Sequence, residues 1–227
     1  YTMGLSVITS YIYSGATVLL FNGSLTDALF WKFLKEQKAT VFTGVPFSYE
    51  IISKLRFTRM DLPDLKIISQ GGGKLNAKLF TDFAEYADKT EKKFIATYGQ
   101  TEGTARMAYL PHEYALTKNG SIGKAIPNGE LFLIDVNGKE ILEPNVVGEM
   151  IYKGRNVTLG YAITADDLEK GDERNGLLPT GDMALKDEEG FFYIVGRISR
   201  FLKLYGIRVG LDDVEELIFK NFNVQNL

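Results

Sequence analysis

The sequence predicts an α/β chain: a largely parallel sheet with flanking helices, then a small β-rich, barrel-like subdomain, then the beginning of a C-terminal domain. Three observations predict it. Short apolar runs alternate with helical patterns over residues 1–100, the grammar of a parallel sheet with helices on its faces. After residue 120 the helical patterns give way to short β runs separated by turns. Beyond Gly196 the chain turns basic at Arg197, Arg200, Lys203 and Arg208, then acidic at Asp212, Asp213, Glu215 and Glu216, as a linker entering a third unit would. The three units are placed at residues 1–117, 118–196 and 197–227.

Element by element, Leu5 to Tyr13 mixes Ser and Thr with Val, Ile and Tyr and suits a helix packed on both sides, stopped by Gly15. Ala16 to Phe21 reads as a buried strand. Ser24 with Asp27 is a capping-box-like start for a helix carrying Leu25, Ala28, Leu29 and Phe33 and ending near Lys38. Thr40 to Thr43 is a short strand broken by Pro46, and Ser48 to Leu55 resumes a helical pattern. Leu65 to Ser69 is the next strand, Gly71-Gly72-Gly73 interrupts, and Asn76 caps a helix that turns Leu79, Phe80, Phe83 and Ala87 inward. Phe94 to Thr97 completes the series. In the second unit, Leu131 to Val136 and Lys139 to Leu142 flank Asn137-Gly138, a hairpin of the type I′ kind, and Gly148 to Lys153 and Phe191 to Val195 are further strands.

Composition bounds the function. With 227 residues, 45% of them hydrophobic and 12% aromatic, a sizeable core can form. A net charge of -3 without a Lys/Arg run makes nucleic acid an unexpected partner. No apolar stretch is long enough for a transmembrane helix. The absence of cysteine excludes disulfides and thiolate metal sites and agrees with a reducing compartment, so a cytoplasmic location is expected. The chain begins at Tyr1 without a charged leader and ends just after a helical pattern, so both ends read as cut.

The stretch richest in chemistry is Tyr98-Gly99-Gln100-Thr101-Glu102, at the end of a strand, where open α/β sheets bind ligands. Tyr98 suits a flat ring, Gly99 close backbone approach, Thr101 a phosphate oxygen and Glu102 a hard cation; a plain strand-to-loop turn is the alternative. Gly71, Gly72 and Gly73 end the neighbouring strand, so two glycine-bearing loops should lie side by side, with room for a planar ligand or merely as two tight turns. Asp182, in the apparent turn Thr180-Gly181-Asp182, can accept from two vicinal hydroxyls, the chemistry of holding a ribose. Gly196-Arg197, and after it Lys203 to Val209 with its glycine turn and Arg208, offer guanidinium donors for phosphate or ribose, or a solvated basic face. His112 is the sole histidine and has no nearby nucleophile, so a His-based triad or metal site is not expected. Glu130, Asp135 and Glu149 read as solvent-facing hairpin residues.

In order and spacing, the segments GGGKL, YGQTE, GSIGKAIPN, VVGEMIYKGRNVTLGYA, LLPTGDMALKDEEGFFYIVGR and LKLYGIRVGLDDVEELI resemble the adenylate-forming, AMP-binding ligase superfamily of acyl-CoA synthetases, luciferases and peptide-synthetase adenylation domains. The resemblance runs over nearly the whole chain. It implies that Tyr98, Gly99 and the Gly71–Gly73 loop bind adenine, Thr101 meets the α-phosphate, Glu102 binds Mg²⁺, Asp182 holds the ribose hydroxyls and Arg197 sits near ribose and phosphate. Thr101 and Glu102 would then be catalytic. The implied reaction joins a carboxylic acid to ATP, releasing pyrophosphate, and passes the acyl group from the AMP ester to a thiol, usually that of CoA or of an acyl carrier protein.

Three departures qualify this. The family's phosphate loop, expected before Tyr1, is absent. So is the catalytic lysine expected near the C-terminus. Ser199 stands at the hinge position where the family usually has Asp or Lys. These 227 residues are therefore expected not to catalyse adenylation alone. Gly4 stands where amino-acid-activating relatives carry an Asp, which disfavours an α-amino acid, and Val45, Pro46, Phe47, Thr104 and Met107 are candidates for an apolar pocket for a fatty or aryl acid. Two alternatives to a CoA ligase stay open: loading of a carrier protein, and a non-catalytic nucleotide-binding module.

Overall fold

The computed structural model describes residues 2–204 and 207–222. Among them are α1 (Thr2–Tyr13), α2 (Ala28–Glu36), β1 (Val41–Gly44), α3 (Pro46–Lys54), β2 (Ile67–Gln70), α4 (Ala77–Lys89), β3 (Lys93–Tyr98), β4 (Ala108–Leu110) and β5 (Lys124–Ala125). There follow β6 (Gly129–Ile134), β7 (Glu140–Ile141), β8 (Gly148–Gly154), β9 (Leu177–Lys186), β10 (Phe192–Arg197), β11 (Phe201–Leu204), β12 (Ile207–Gly210) and α5 (Leu211–Phe222).

The first sheet has five strands in the order β1-β2-β3-β4-β5. The pairs β1–β2 and β2–β3 are parallel, connected through α3 and α4, whereas β3–β4 and β4–β5 are antiparallel. The sheet is therefore mixed, not largely parallel. After β3 the chain has no crossover helix and folds straight back on itself, and a direct return can only pair antiparallel. The expected strand over Ala16 to Phe21 is not formed: the segment has no regular secondary structure and joins neither sheet.

Local signals explain the helix starts. Asn76 Oδ1 accepts from the N–H groups of Lys78 (2.9 Å) and Leu79 (3.4 Å), satisfying two orphan donors of α4. Pro46 opens α3, where its missing N–H costs no helical bond. Asp27 precedes α2 and supplies half of the expected box, its Oδ2 accepting from Ser24 N–H at 2.8 Å. α3 and α4 bury Tyr49, Ile52, Phe80 and Phe83 against β1 to β3, in an aromatic core where Tyr49 and Phe83 meet edge-on at 4.8 Å. By contrast α1 buries no residue: Leu5, Ile12 and Tyr13 are exposed. It is not packed on both sides: its apolar residues are spread around the helix, a pattern that needs cover on more than one face, and the described residues do not supply it.

The second sheet, in the order β10-β9-β8-β6-β7, is antiparallel throughout and open. The expectation of a barrel-like subdomain is overturned, since β10 and β7 form opposite edges and do not pair. A run of short strands and turns predicts antiparallel pairing but not closure, which needs a first-to-last pairing that local sequence does not encode. The edge of β10 is instead met by the first sheet's segment: Ile122 N–H donates to Phe192 O (2.9 Å) and Phe192 N–H to Gly123 O (3.0 Å). The β6–β7 connection also differs from the expected type I′ turn. Gly138 N–H bonds to Asp135 O (3.0 Å), and of the turn residues only Gly138 has positive φ (78°), giving a type I turn closed by a glycine bulge. Asp135 stabilises it by accepting from the N–H groups of Asn137 (2.8 Å) and Lys139 (2.9 Å).

Candidate functional site: a cleft between two sheets

The parallel pair β2–β3 brings two loops to one edge, as its shared direction requires. Thr97 Oγ1 donates to Gln70 O at 3.0 Å, and buried Gln70 donates from Nε2 to Gly73 O at 2.7 Å, so the glycine loop is tied to both strands. Gly72 and Gly73 line the cleft beyond; Gly71 is buried behind it, next to Thr97. Tyr98, Gly99 and Gln100 open the loop between β3 and β4. A Cβ on Gly99 would stand 2.1 Å from Ala105 O, so only glycine lets this loop fold onto itself.

From the second sheet, β9 and β10 present Asp182 and Arg197 as register partners. Thr180-Gly181-Asp182 is not the turn that its composition suggests. It lies inside β9, where Gly181 has φ 68° and the pairing with β8 slips between Glu149 and Ile151. Thr180 Oγ1 donates to Met150 O (2.6 Å) and accepts from Asp182 N–H (3.1 Å), which fixes this bulge and aims Asp182 at the β3 loop.

The two walls meet at that carboxylate. Tyr98 Oη donates to Asp182 Oδ2 at 2.5 Å, and Gln100 Nε2 donates to the same oxygen at 3.0 Å and to Thr180 O at 2.8 Å. Arg197 Nε lies 3.0 Å from Oδ1. Asp182 is only 4% exposed, so its charge is compensated by these donors and not by water. Burial, with the neighbouring Asp182 charge, pushes the Tyr98 phenol well above its ordinary range and keeps it a donor.

At the other end of the pentapeptide, Thr101 is exposed and 3.3 Å from Thr2 Oγ1 of α1, while Glu102 is half-buried and accepts at Oε1 from Tyr161 Oη. That hydrogen bond holds the Glu102 carboxyl below its ordinary range. The Arg174 guanidinium lies 4.7 Å from the Tyr161 ring centroid. All of these groups face one cleft of ≈ 1270 Å³ between the sheets.

The structure thus brings together Gly72, Gly73, Tyr98, Gly99, Thr101, Glu102, Asp182 and Arg197. It does not bring Gly4 or the acyl-pocket candidates Val45, Pro46, Phe47, Thr104 and Met107 to the same walls. Gly4 and Phe47 are exposed, Val45 and Pro46 are half-buried, Thr104 is exposed with φ 51°, and Met107 is fully buried in the second sheet's core. On α1 the cleft is lined by Thr2, Met3, Ser6 and Val7 instead. Ser199 is exposed on a short helical turn after β10. Tyr205-Gly206 and the side chains of Lys203 and Arg208 lie outside the described residues. Sequence reasoning missed Gln70, Gln100, Tyr161 and Arg174; only Gln100 carried a signal, its place between Tyr98 and Thr101.

A family model described as AMP-binding enzyme matches residues 1–162. The chain belongs to the AMP-binding enzyme family. Among curated relatives it is 31% identical over 211 residues to 4-hydroxybutyrate–CoA ligase 1 of Metallosphaera sedula, covering 91% of this chain and 36% of that protein. It is 29% identical to the long-chain-fatty-acid–CoA ligase of Salmonella typhimurium, covering 86% of this chain and 34% of that one. Among solved structures, the o-succinylbenzoate coenzyme A synthetase of Bacillus subtilis in complex with ATP and magnesium ion superposes with a TM-score of 0.80 at 27% identity, covering 100% of this chain and 46% of that one. The chain therefore spans less than half the length of the relatives it matches.

Proposed function

We propose that this chain is the adenylate-binding portion of an ATP-dependent acid–thiol ligase. The whole protein would activate a carboxylic acid as an acyl-adenylate and transfer the acyl group to CoA. The observation that carries the reading is the convergence of Tyr98 and Gln100, from one sheet, on Asp182 and Arg197, from the other, across a single cleft floored by the Gly72-Gly73 loop. In this reading the adenine lies between Tyr98 and the glycine loop, the ribose hydroxyls bond to Asp182, and Thr101 and Arg197 face the phosphate.

The donor set fits Mg²⁺. Glu102 offers a carboxylate kept ionised by the Tyr161 hydroxyl, and Mg²⁺ commonly takes one or two protein carboxylates, with phosphate oxygens completing the shell. Bound there, the ion would supply neutralisation of the charge that develops as pyrophosphate leaves. The chain's own groups bind and align. A carboxylate oxygen of the acid attacks the α-phosphorus and the bond to pyrophosphate breaks; the thiolate sulfur then attacks the acyl carbonyl carbon and AMP leaves. Neither step needs a protein nucleophile, so orientation of two anions is the main contribution. CoA as acceptor and an acid other than an α-amino acid are supported by the relatives, whose names specify CoA ligases for 4-hydroxybutyrate and long-chain fatty acids.

Calorimetric titration of the chain with AMP and ATP tests the reading. Binding is expected for both, lost on Asp182→Asn, with no ATP–pyrophosphate exchange by the 227 residues alone. Failure of either nucleotide to bind the wild type would sink it, and robust exchange would refute the incompleteness. The whole protein is expected to form AMP from ATP with CoA and a fatty or aryl acid; exclusive use of a phosphopantetheinylated carrier protein would move the acceptor.

A further inference from the structure

The loop between β8 and β9 is tied to the β3 loop by a closed circuit of four side chains and backbone groups. Thr158 N–H donates to Glu102 O at 2.8 Å. Arg174 Nη1 donates to Thr158 Oγ1 at 2.7 Å, and the same guanidinium covers the Tyr161 ring, its Cζ 4.7 Å from the centroid. Tyr161 Oη then returns to Glu102 through its Oε1. Tyr161 is 66% exposed, so the apolar core does not hold it; Arg174 beneath the ring and the carboxylate at its tip do. Glu173 N–H to Leu159 O (2.8 Å) and the Asp172 carboxylate, which accepts from Arg174 N–H (3.0 Å) and Asn175 N–H (2.8 Å), brace the two ends of the loop.

An exposed aromatic held in this way has no stabilising task proportionate to its fixation. A half-buried glutamate left alone would sample several rotamers, and binding an ion would then cost the entropy of choosing one. Tyr161 engages one oxygen of Glu102 and selects the rotamer beforehand. We propose that Tyr161 is a positioning residue for this carboxylate, with Arg174 as its support, and that together they pre-set Glu102 to receive the Mg²⁺ that accompanies ATP. The inference rests on the nucleotide-binding reading above and adds to it the residues that make binding metal-dependent.

The test compares ATP with AMP in the wild-type chain and in Tyr161→Phe, by calorimetry in excess MgCl₂ and in EDTA. The wild type gains ATP affinity from Mg²⁺. Tyr161→Phe, which keeps the ring over Arg174 and removes only the hydroxyl, is expected to cut that gain about fivefold and to change AMP affinity less than about twofold. Arg174→Ala is expected to lower the gain in the same direction. A hydroxyl that merely competed with the ion would give the opposite sign, so a larger Mg²⁺ gain in Tyr161→Phe overturns the proposal, as does a gain in Tyr161→Phe equal to that of the wild type. Equal loss of AMP and ATP affinity would assign Tyr161 a structural role and also overturn it. A wild type that binds no nucleotide removes the functional reading and this inference with it, whereas one that binds ATP without any response to Mg²⁺ removes this inference alone.

Discussion

Asp182→Asn and Tyr98→Phe, made singly and together, measure the joint between the two sheets. Asp182 is 4% exposed and receives Tyr98 Oη at 2.5 Å, Gln100 Nε2 at 3.0 Å and Arg197 Nε at 3.0 Å. Hydrogen bonds to charged groups contribute about 1.5–3 kcal/mol each, so Tyr98→Phe should cost about 2 kcal/mol. The Arg197 side chain is 59% exposed, and water discounts its share to about 0–1 kcal/mol. In Asp182→Asn the amide places an NH₂ among three donors, and the expected loss is about 3 kcal/mol. For a chain of this size that lowers Tm by about 6–12 °C. Urea unfolding of the four proteins gives the cycle. Because the Tyr98 bond is counted in both single losses, the double variant should fall short of their sum by about 1.5–3 kcal/mol. Additivity within about 0.5 kcal/mol would show that the two groups do not act on each other, and the divided site would lose its central contact.

Three further outcomes follow from the same structure. Gly99→Ala should disable nucleotide binding and lower stability by about 2 kcal/mol or more, since its Cβ would stand 2.1 Å from Ala105 O; calorimetry and thermal unfolding check both, and wild-type values would refute the close approach. Tyr49→Phe should raise stability by about 1 kcal/mol, because the Tyr49 hydroxyl is buried without a hydrogen-bond partner among the described residues, and a loss in urea unfolding would contradict this. Tyr98 makes stability fall in alkali: its folded pKa lies well above the unfolded value of about 10, so above that pH the unfolded state releases a proton that the folded state keeps. The expected contribution is a fall of about 1.4 kcal/mol per pH unit, absent below about pH 9 and removed in Tyr98→Phe.

Much of the first sheet was legible because its signals are local. Phe94 to Thr97 is an apolar run, Asn76 a cap, and Phe80, Phe83 and Ala87 a helical stripe; each appears in the structure where the sequence puts it. Errors arose where distant chain, or a nearby side chain competing for the backbone, decides. Thr180-Gly181-Asp182 has turn composition, yet Thr180 Oγ1 finds Met150 O, 30 residues away, and the segment becomes a bulge inside a strand. Asn137-Gly138 favours type I′, but the Asp135 side chain competes for the turn's N–H groups and sets a type I turn with a glycine bulge. Within the site, Tyr98 and Asp182 were readable as chemical types at a strand end and beside a glycine. Tyr161 was not, since nothing near it in sequence indicates Glu102, 59 residues back.

Asp182 poses a counting problem on the proposed reading. A carboxylate offers about four lone-pair sites, and Tyr98, Gln100 and Arg197 occupy three of them. Two ribose hydroxyls need two, so one internal donor has to yield. Among the described residues Arg197 is the partner on Oδ1 and brings the compensating charge, so releasing it would leave a buried anion less well neutralised. The donor from Tyr98 is a half-buried phenol facing the carboxylate, and freeing it would leave the hydroxyl without this acceptor. Gln100 is different. Its Nε2 already lies closer to Thr180 O (2.8 Å) than to Asp182 (3.0 Å), and it can give up the carboxylate while keeping the carbonyl. The amide in the middle of the pentapeptide is thus the donor that can yield the site to a ribose at least cost. That gives a physical reason for an uncharged two-donor side chain between the tyrosine that faces the ring and the threonine that faces the phosphate.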